Sequence, residues 1–131
     1  MLVTASHVSL LPAAIMPSGA SWVAPHSLLY TDGNNNLHVT LLDIATGLTS
    51  IIPIPASDQN MPFSIANINW IAAWMFGDYS LVFYNRTTHK LVTHAALTSA
   101  IISLLASGPN GFIISDTHNN QNWLIDPTKL P

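Results

Sequence analysis

The chain repeats itself at a period near 41 residues, and few folds accept that period. Three polar turn-starting residues, Asp43, Asn85 and Asp126, fall 42 and 41 residues apart. An apolar run opens 15 residues before each of them, at Leu28, Trp70 and Gly111. The runs are rich in β-branched and aromatic residues, as in Tyr79-Ser80-Leu81-Val82-Phe83-Tyr84 and Phe112-Ile113-Ile114. That composition argues for strands and against stacked helix pairs. Each copy reads strand, turn, strand, turn, strand, and a period near 40 residues with about four strands per unit is the pattern of a β-propeller blade.

The turns agree with the strands. The middle turns, Asp32-Gly33-Asn34-Asn35-Asn36, Gly77-Asp78 and Thr117-His118-Asn119-Asn120, are built from residues that tolerate positive φ and close hairpins. The second turns open on Asp or Asn, whose side chains bond the amides of the following residues, and Thr follows in each. Leu37-His38-Val39-Thr40-Leu41 alternates apolar and polar residues, the mark of a strand with one drier face. Tyr79–Tyr84 and Phe112–Ile114 are more continuously apolar, as expected for strands buried between neighbouring blades. Two stretches also fit short buried helices, because periodicity does not separate helix from strand over so few residues: 68–76 and 99–106.

The expectation is therefore an all-β single domain, 1–131, made of three four-stranded antiparallel blades of about 41 residues. Residues 1–20 form an N-terminal strand or arm, 21–56 the first blade, 62–97 the second and 99–131 the third. Met1–Met16 is a candidate for the outer strand of the last blade. Three blades do not close a ring, since fewer than four leave large faces and edges unpaired. The half-ring is expected to be completed by association, through a dimer giving six blades or through another propeller chain.

Charge narrows the partners. Charged residues are 7% of the chain against about 25% in ordinary soluble proteins, and Glu is absent. Arg86, Lys90 and Lys129 are the whole cationic complement, too few to neutralise a phosphate backbone, so nucleic acid is excluded as a partner. A net charge of -3 leaves self-repulsion weak. Apolar residues reach 49%, yet no uninterrupted run is long enough to span a bilayer. Met1–Met16 lacks a basic start and is broken by His7, Ser9 and Pro12, which makes it a poor secretory leader. There is no cysteine, so neither a disulfide nor a thiolate metal site is available. The low charge favours an extracellular or structural setting, and Asn85-Arg86-Thr87 is an acceptor for N-linked glycan in such a setting.

Leu29-Tyr30-Thr31-Asp32, Leu42-Asp43-Ile44-Ala45-Thr46-Gly47 and Ile54-Pro55 resemble the opening blades of the gluconolactonase and regucalcin family of six-bladed propellers. The resemblance spans about Ser21 to Leu97. It implies a central tunnel holding one divalent metal, bound by a Glu and by Asn or Asp, and used to hydrolyse lactones. The metal-binding Glu of that family sits in a Gly-Glu-Gly-Pro segment, where this chain has Gly19-Ala20-Ser21-Trp22, and Ser99–Ser107 lacks the corresponding Asn. No site residue carries over.

Candidate residues follow from chemistry alone. His7, His26, His38, His89, His94 and His118 show no metal-ligand spacing, and no cofactor is expected; Asp32, Asp78 and Asp116 beside the middle turns are read as turn caps, with an inward-pointing ring that binds a divalent cation as the competing reading. Trp22, Trp70, Trp74 and Trp123 either fill the space between blades or stack on sugar faces. The sequence has no Gly-x-Ser-x-Gly elbow and no phosphate-binding Gly-rich loop. A non-enzymatic binding or assembly module is the leading expectation; the competing ones are a lactone hydrolase completed across a subunit interface and a lectin-like binder of carbohydrate or another small molecule.

Overall fold

Each apolar run becomes one strand of an antiparallel meander. The computed structural model describes residues 2–3, 8–9, 15–23, 26–33, 37–57, 59–94, 102–109, 111–116 and 120–130. A first sheet joins β3 (Ile15–Val23), β4 (Ser27–Asp32), β5 (Val39–Asp43) and β6 (Thr49–Ile51) in chain order. A second joins β7 (Pro62–Ala66), β8 (Trp70–Met75), β9 (Leu81–Asn85) and β10 (Leu91–His94) in the same way. A third joins β11 (Ile102–Gly108), β12 (Gly111–Asp116) and β13 (Gln121–Ile125), followed by a 3-10 turn over Pro127–Lys129. Upstream, β1 (Leu2–Val3) pairs with β2 (Val8–Ser9). Among the described residues there is no α-helix, and no helix long and apolar enough to cross a membrane. Of the two stretches that also fitted helices, 68–76 contains β8, and the described part of 99–106 belongs to β11.

The first two sheets have the four strands the repeat predicts, the third has three among the described residues in place of the expected four, and the register of the first slips by one residue. Trp70 pairs with Asn85, but the residue that pairs with Asp43 is Ser27, not Leu28. The extra residue lies in the middle turn: Asp32 N–H donates to the carbonyl six residues on, at His38, whereas Met75 N–H reaches only five residues on, to Ser80. Leu29, Ala72 and Ile113 are therefore structural counterparts, and a shift of one residue exchanges the two faces of a strand. The first sheet opens at Ile15, upstream of the residue 21 at which its sequence unit starts, and β3 carries a bulge between Ile15 and Ala20.

The sheets are stacked, with β7 against β3 and β4 on one side and against β11 on the other. The second sheet is buried on both faces. Ile71, Ala73 and Met75 of β8, with Val82 and Tyr84 of β9, join Val23, Leu29, Val39, Ile52 and Ile54 in one apolar core. The alternate residues Ala72, Trp74, Leu81 and Phe83 join Phe112 and Ile114 in another. That explains why these two strands are apolar without alternation. Thr31 adds a buried hydrogen bond across the first interface, from its hydroxyl to the Pro62 carbonyl at 3.2 Å. In β5 the alternation is one of polarity rather than of exposure, because Thr40 is as buried as Val39, with its hydroxyl donating to the His38 carbonyl.

One side-chain device closes the second turn in every copy. Asp43 Oδ1 accepts from the amides of Ala45 and Thr46, Asn85 Oδ1 from those of Thr87 and Thr88, and Asp126 Oδ1 from that of Thr128. The chain then turns back through a left-handed residue, Gly47 at φ 73° and His89 at φ 61°.

Phe83 and Phe112 lie 5.9 Å apart between the second and third sheets. Replacing either by Ala is expected to cost about 3–5 kcal/mol. The double variant should cost less than the sum by roughly 1 kcal/mol. Urea denaturation of the single and double variants measures both quantities.

Candidate functional site

The four tryptophans occupy four different settings. Trp22 on β3 is 67% exposed and Trp123 on β13 40% exposed. Trp74 is 4% exposed and packs in an aromatic cluster, its ring 5.7 Å from Phe63, 5.8 Å from Phe76 and 6.1 Å from Tyr79. Its indole Nε1 is buried without a hydrogen-bond partner, so Trp74 fills space between sheets and is closed to a ligand. Trp70, the first residue of β8, is half-buried and lines a cleft.

The three aspartates are not three of a kind. Asp32 ends β4 and Asp116 ends β12, at the position that Met75 fills in the second sheet. Asp116 is buried, while Asp32 is half-buried on the face of Tyr30, whose phenol is pushed above its ordinary range by burial and then by the Asp32 charge. Asp78 lies in the turn beyond Met75, exposed, accepting from both the amide and the hydroxyl of Ser80 at 2.9 and 2.6 Å. Those bonds hold its carboxyl below the usual range. Among the described residues, no three His, Cys, Asp or Glu side chains converge to hold a metal ion. Asp32, Asp78 and Asp116 are accordingly not gathered into one three-carboxylate set.

The histidines are equally dispersed. His89 Nδ1 is 2.6 Å from the Tyr84 hydroxyl, and His38 Nδ1 is buried without a partner. His7 and His118 lie outside the described residues, as do Asn34–Asn36 and Thr117–Asn119 of the middle turns. The glycan-acceptor Asn85 uses its side-chain oxygen to close its own turn.

The cleft at Trp70 opens between the second and third sheets and encloses about 250 Å³. Asn67, Asn69 and Trp70 form one wall; Pro109, Gly111, Asp126, Pro127 and Thr128 form the other. Asn67 holds the walls together. Its Nδ2 donates to the Gly108 carbonyl at 3.0 Å, and its Oδ1 accepts from the amides of Asn69 and Trp70 at 3.0 and 2.8 Å. Behind it, Arg86 donates through Nη1 to the carbonyls of Asn67 and Ile68. Across the cleft, Asp126 Oδ1 accepts from the Thr128 amide and hydroxyl at 3.0 and 2.6 Å, which keeps this exposed carboxyl ionised to lower pH than usual. Gly111 is the third-sheet counterpart of Trp70 and adopts φ 151°; a Cβ there would run into the Ile125 carbonyl oxygen.

Of the cleft residues, the sequence singles out only Trp70 as a ligand contact. Asp126 is visible as a turn starter, and Asn67 precedes β8 by the same turn logic, but nothing local signals that the two face one opening. The chain matches no known protein family, no curated protein and no solved structure.

Trp74→Phe removes an unsatisfied donor but leaves a ring-sized cavity, and is expected to cost about 1 kcal/mol, against about 3–5 for Trp74→Ala. Thermal or urea unfolding separates these outcomes. Because the Asp78 and Asp126 carboxyls are depressed in the folded state, the stability they supply is present above their unfolded pKa of about 4 and disappears as pH falls through the lower folded values. Melting temperatures measured downward from about pH 6 should drop below about pH 4, and a double Asp78→Asn, Asp126→Asn variant should show a shallower drop.

Proposed function

We propose that the three sheets are consecutive blades of a β-propeller and that the chain works as a non-enzymatic binding and assembly module. Its association surface is the outer face of the third sheet, and the occupant is a second copy of the chain. The observation that carries this is the repeated use of equivalent positions. Leu29, Val39 and Leu41 of the first sheet are turned toward the second, and their counterparts Ala72, Leu81 and Phe83 of the second sheet are turned toward the third. The counterparts in the third sheet are Ile113, Asn122 and Leu124, and these are exposed, Ile113 to 41% and Leu124 to 75%. Among the described residues the outer edge of β13 also has no partner strand, since β1 and β2 pair with each other.

A propeller extends by laying on such a face the opposite face of another blade. In a second copy that face is the Leu28, Tyr30 and Leu42 side of the first sheet. These three residues are already buried in the single chain, so closing a six-bladed ring requires their present cover to give way to the partner's third sheet. The small net charge of -3 offers little electrostatic resistance to the meeting of two copies.

Light scattering on a size-exclusion peak tests the proposal. A mass near twice the 14.1 kDa of one chain is expected, and Leu124→Asp with Ile113→Asp should return it to the single-chain mass with its circular dichroism unchanged. A well-folded monomer of the unmodified chain overturns it.

A further inference from the structure

The cleft at Trp70 has the make-up of a site for a small neutral ligand with both an apolar face and several hydroxyls. We infer that it binds a saccharide ring, independently of whether the chain associates. Trp70, packed in part against the core between the second and third sheets, presents the remainder of its indole at the cleft wall, where the C–H face of a pyranose can rest. The Asn69 side-chain amide, with both donor and acceptor capacity, is not engaged in any hydrogen bond, whereas its backbone is fixed by Asn67 and Arg86. The Asp126 carboxylate commits one oxygen, Oδ1, to Thr128, leaving Oδ2 as an acceptor for a hydroxyl. A donor and acceptor amide on one wall and an ionised acceptor on the other match vicinal hydroxyls, each of which can donate and accept.

Charge and size narrow the class. No Lys or Arg lines the cleft, and the nearest guanidinium, Arg86, is turned to the carbonyls of residues 67 and 68 behind the wall. The carboxylate of Asp126, offset in part by Lys129 three residues on, is the one charge on the lining and favours a neutral ligand over phosphates and acidic sugars. A metal ion finds a single carboxylate there, too few ligands for a cation site. The volume of about 250 Å³ lies below the usual range for drug-sized ligands and suits one ring, or two with the second reaching solvent.

The walls are held before any ligand arrives. Asn67 ties the loop ahead of β8 to the end of β11 through Gly108, and Gly111 lets the start of β12 lie against the backbone at Ile125 where any side chain would clash. Such a site binds without reorganising, although its openness keeps affinity on the order of millimolar.

The test is a titration of the isotopically labelled chain with methyl glucoside, methyl galactoside, methyl mannoside and N-acetylglucosamine, followed by amide and indole NMR shifts. Saturable shifts are expected at the Trp70 indole, the Asn69 side-chain amide and the backbone of residues 109, 111 and 126–128, for at least one of these sugars. Asn69→Ala, which leaves the backbone bonds of the wall in place, should weaken that binding about tenfold, and Trp70→Leu should abolish it. The Ile113→Asp, Leu124→Asp variant should bind as the unmodified chain does, so failure of association and failure of the sugar site are read separately. Shifts confined to Trp22 or Trp123, or no saturable shift with any of the four sugars, overturn the inference.

Discussion

The rest of the structure depends on the two-faced burial of the second sheet. A strand with one wet face needs apolar residues only at every other position, and its partner sheet can be placed on one side alone. In β8 and β9 consecutive side chains belong to different cores: Ile71 and Ala73 to the one shared with the first sheet, Ala72 and Trp74 to the one shared with the third. The chain is thereby committed to a stack of sheets rather than to a two-layer sandwich. Stacking also accounts for the low charge, since few positions on such strands are free to carry an ionised group without a partner.

The turns repeat one local chemistry from sheet to sheet. The side chains of Asp43, Asn85 and Asp126 close loops of the same kind at the same end of each sheet. The loops leading into the second strands are then tied to those ends, by Ile44 N–H to the His26 carbonyl in the first sheet and Arg86 N–H to the Asn69 carbonyl in the second. The cleft beside Trp70 lies at this same end, between the loop ahead of β8 and the turn that Asp126 opens.

Much of this was legible in the residues, for physical reasons that can be named. The second turns announce themselves through Asp and Asn followed by Thr, a local chemistry that needs no tertiary context. The continuous apolar runs announce burial on both faces. Register in the first sheet was not legible, because aligning Leu28 with Trp70 matches hydrophobicity while the actual counterpart is the polar Ser27. The additional residue hides in a Gly- and Asn-rich turn whose length carries no hydrophobic signal. Similarly, Asp32, Asp78 and Asp116 look alike beside their turns, yet only Asp32 and Asp116 share a structural position. The cleft was illegible for a different reason: Asn67, Asn69 and Asp126 are distant in sequence and meet only because one sheet lies upon the next.

A stack held by nearest-neighbour interfaces does not resist opening uniformly. The second sheet has an apolar core on each side, while the third shares one core and ends in a strand whose Trp123 and Leu124 face solvent. Amide protons of β8 and β9 therefore exchange only when the whole stack comes apart, whereas those of β13 exchange through a smaller, local detachment. The same graded opening makes the third sheet more accessible to an incoming strand than the second.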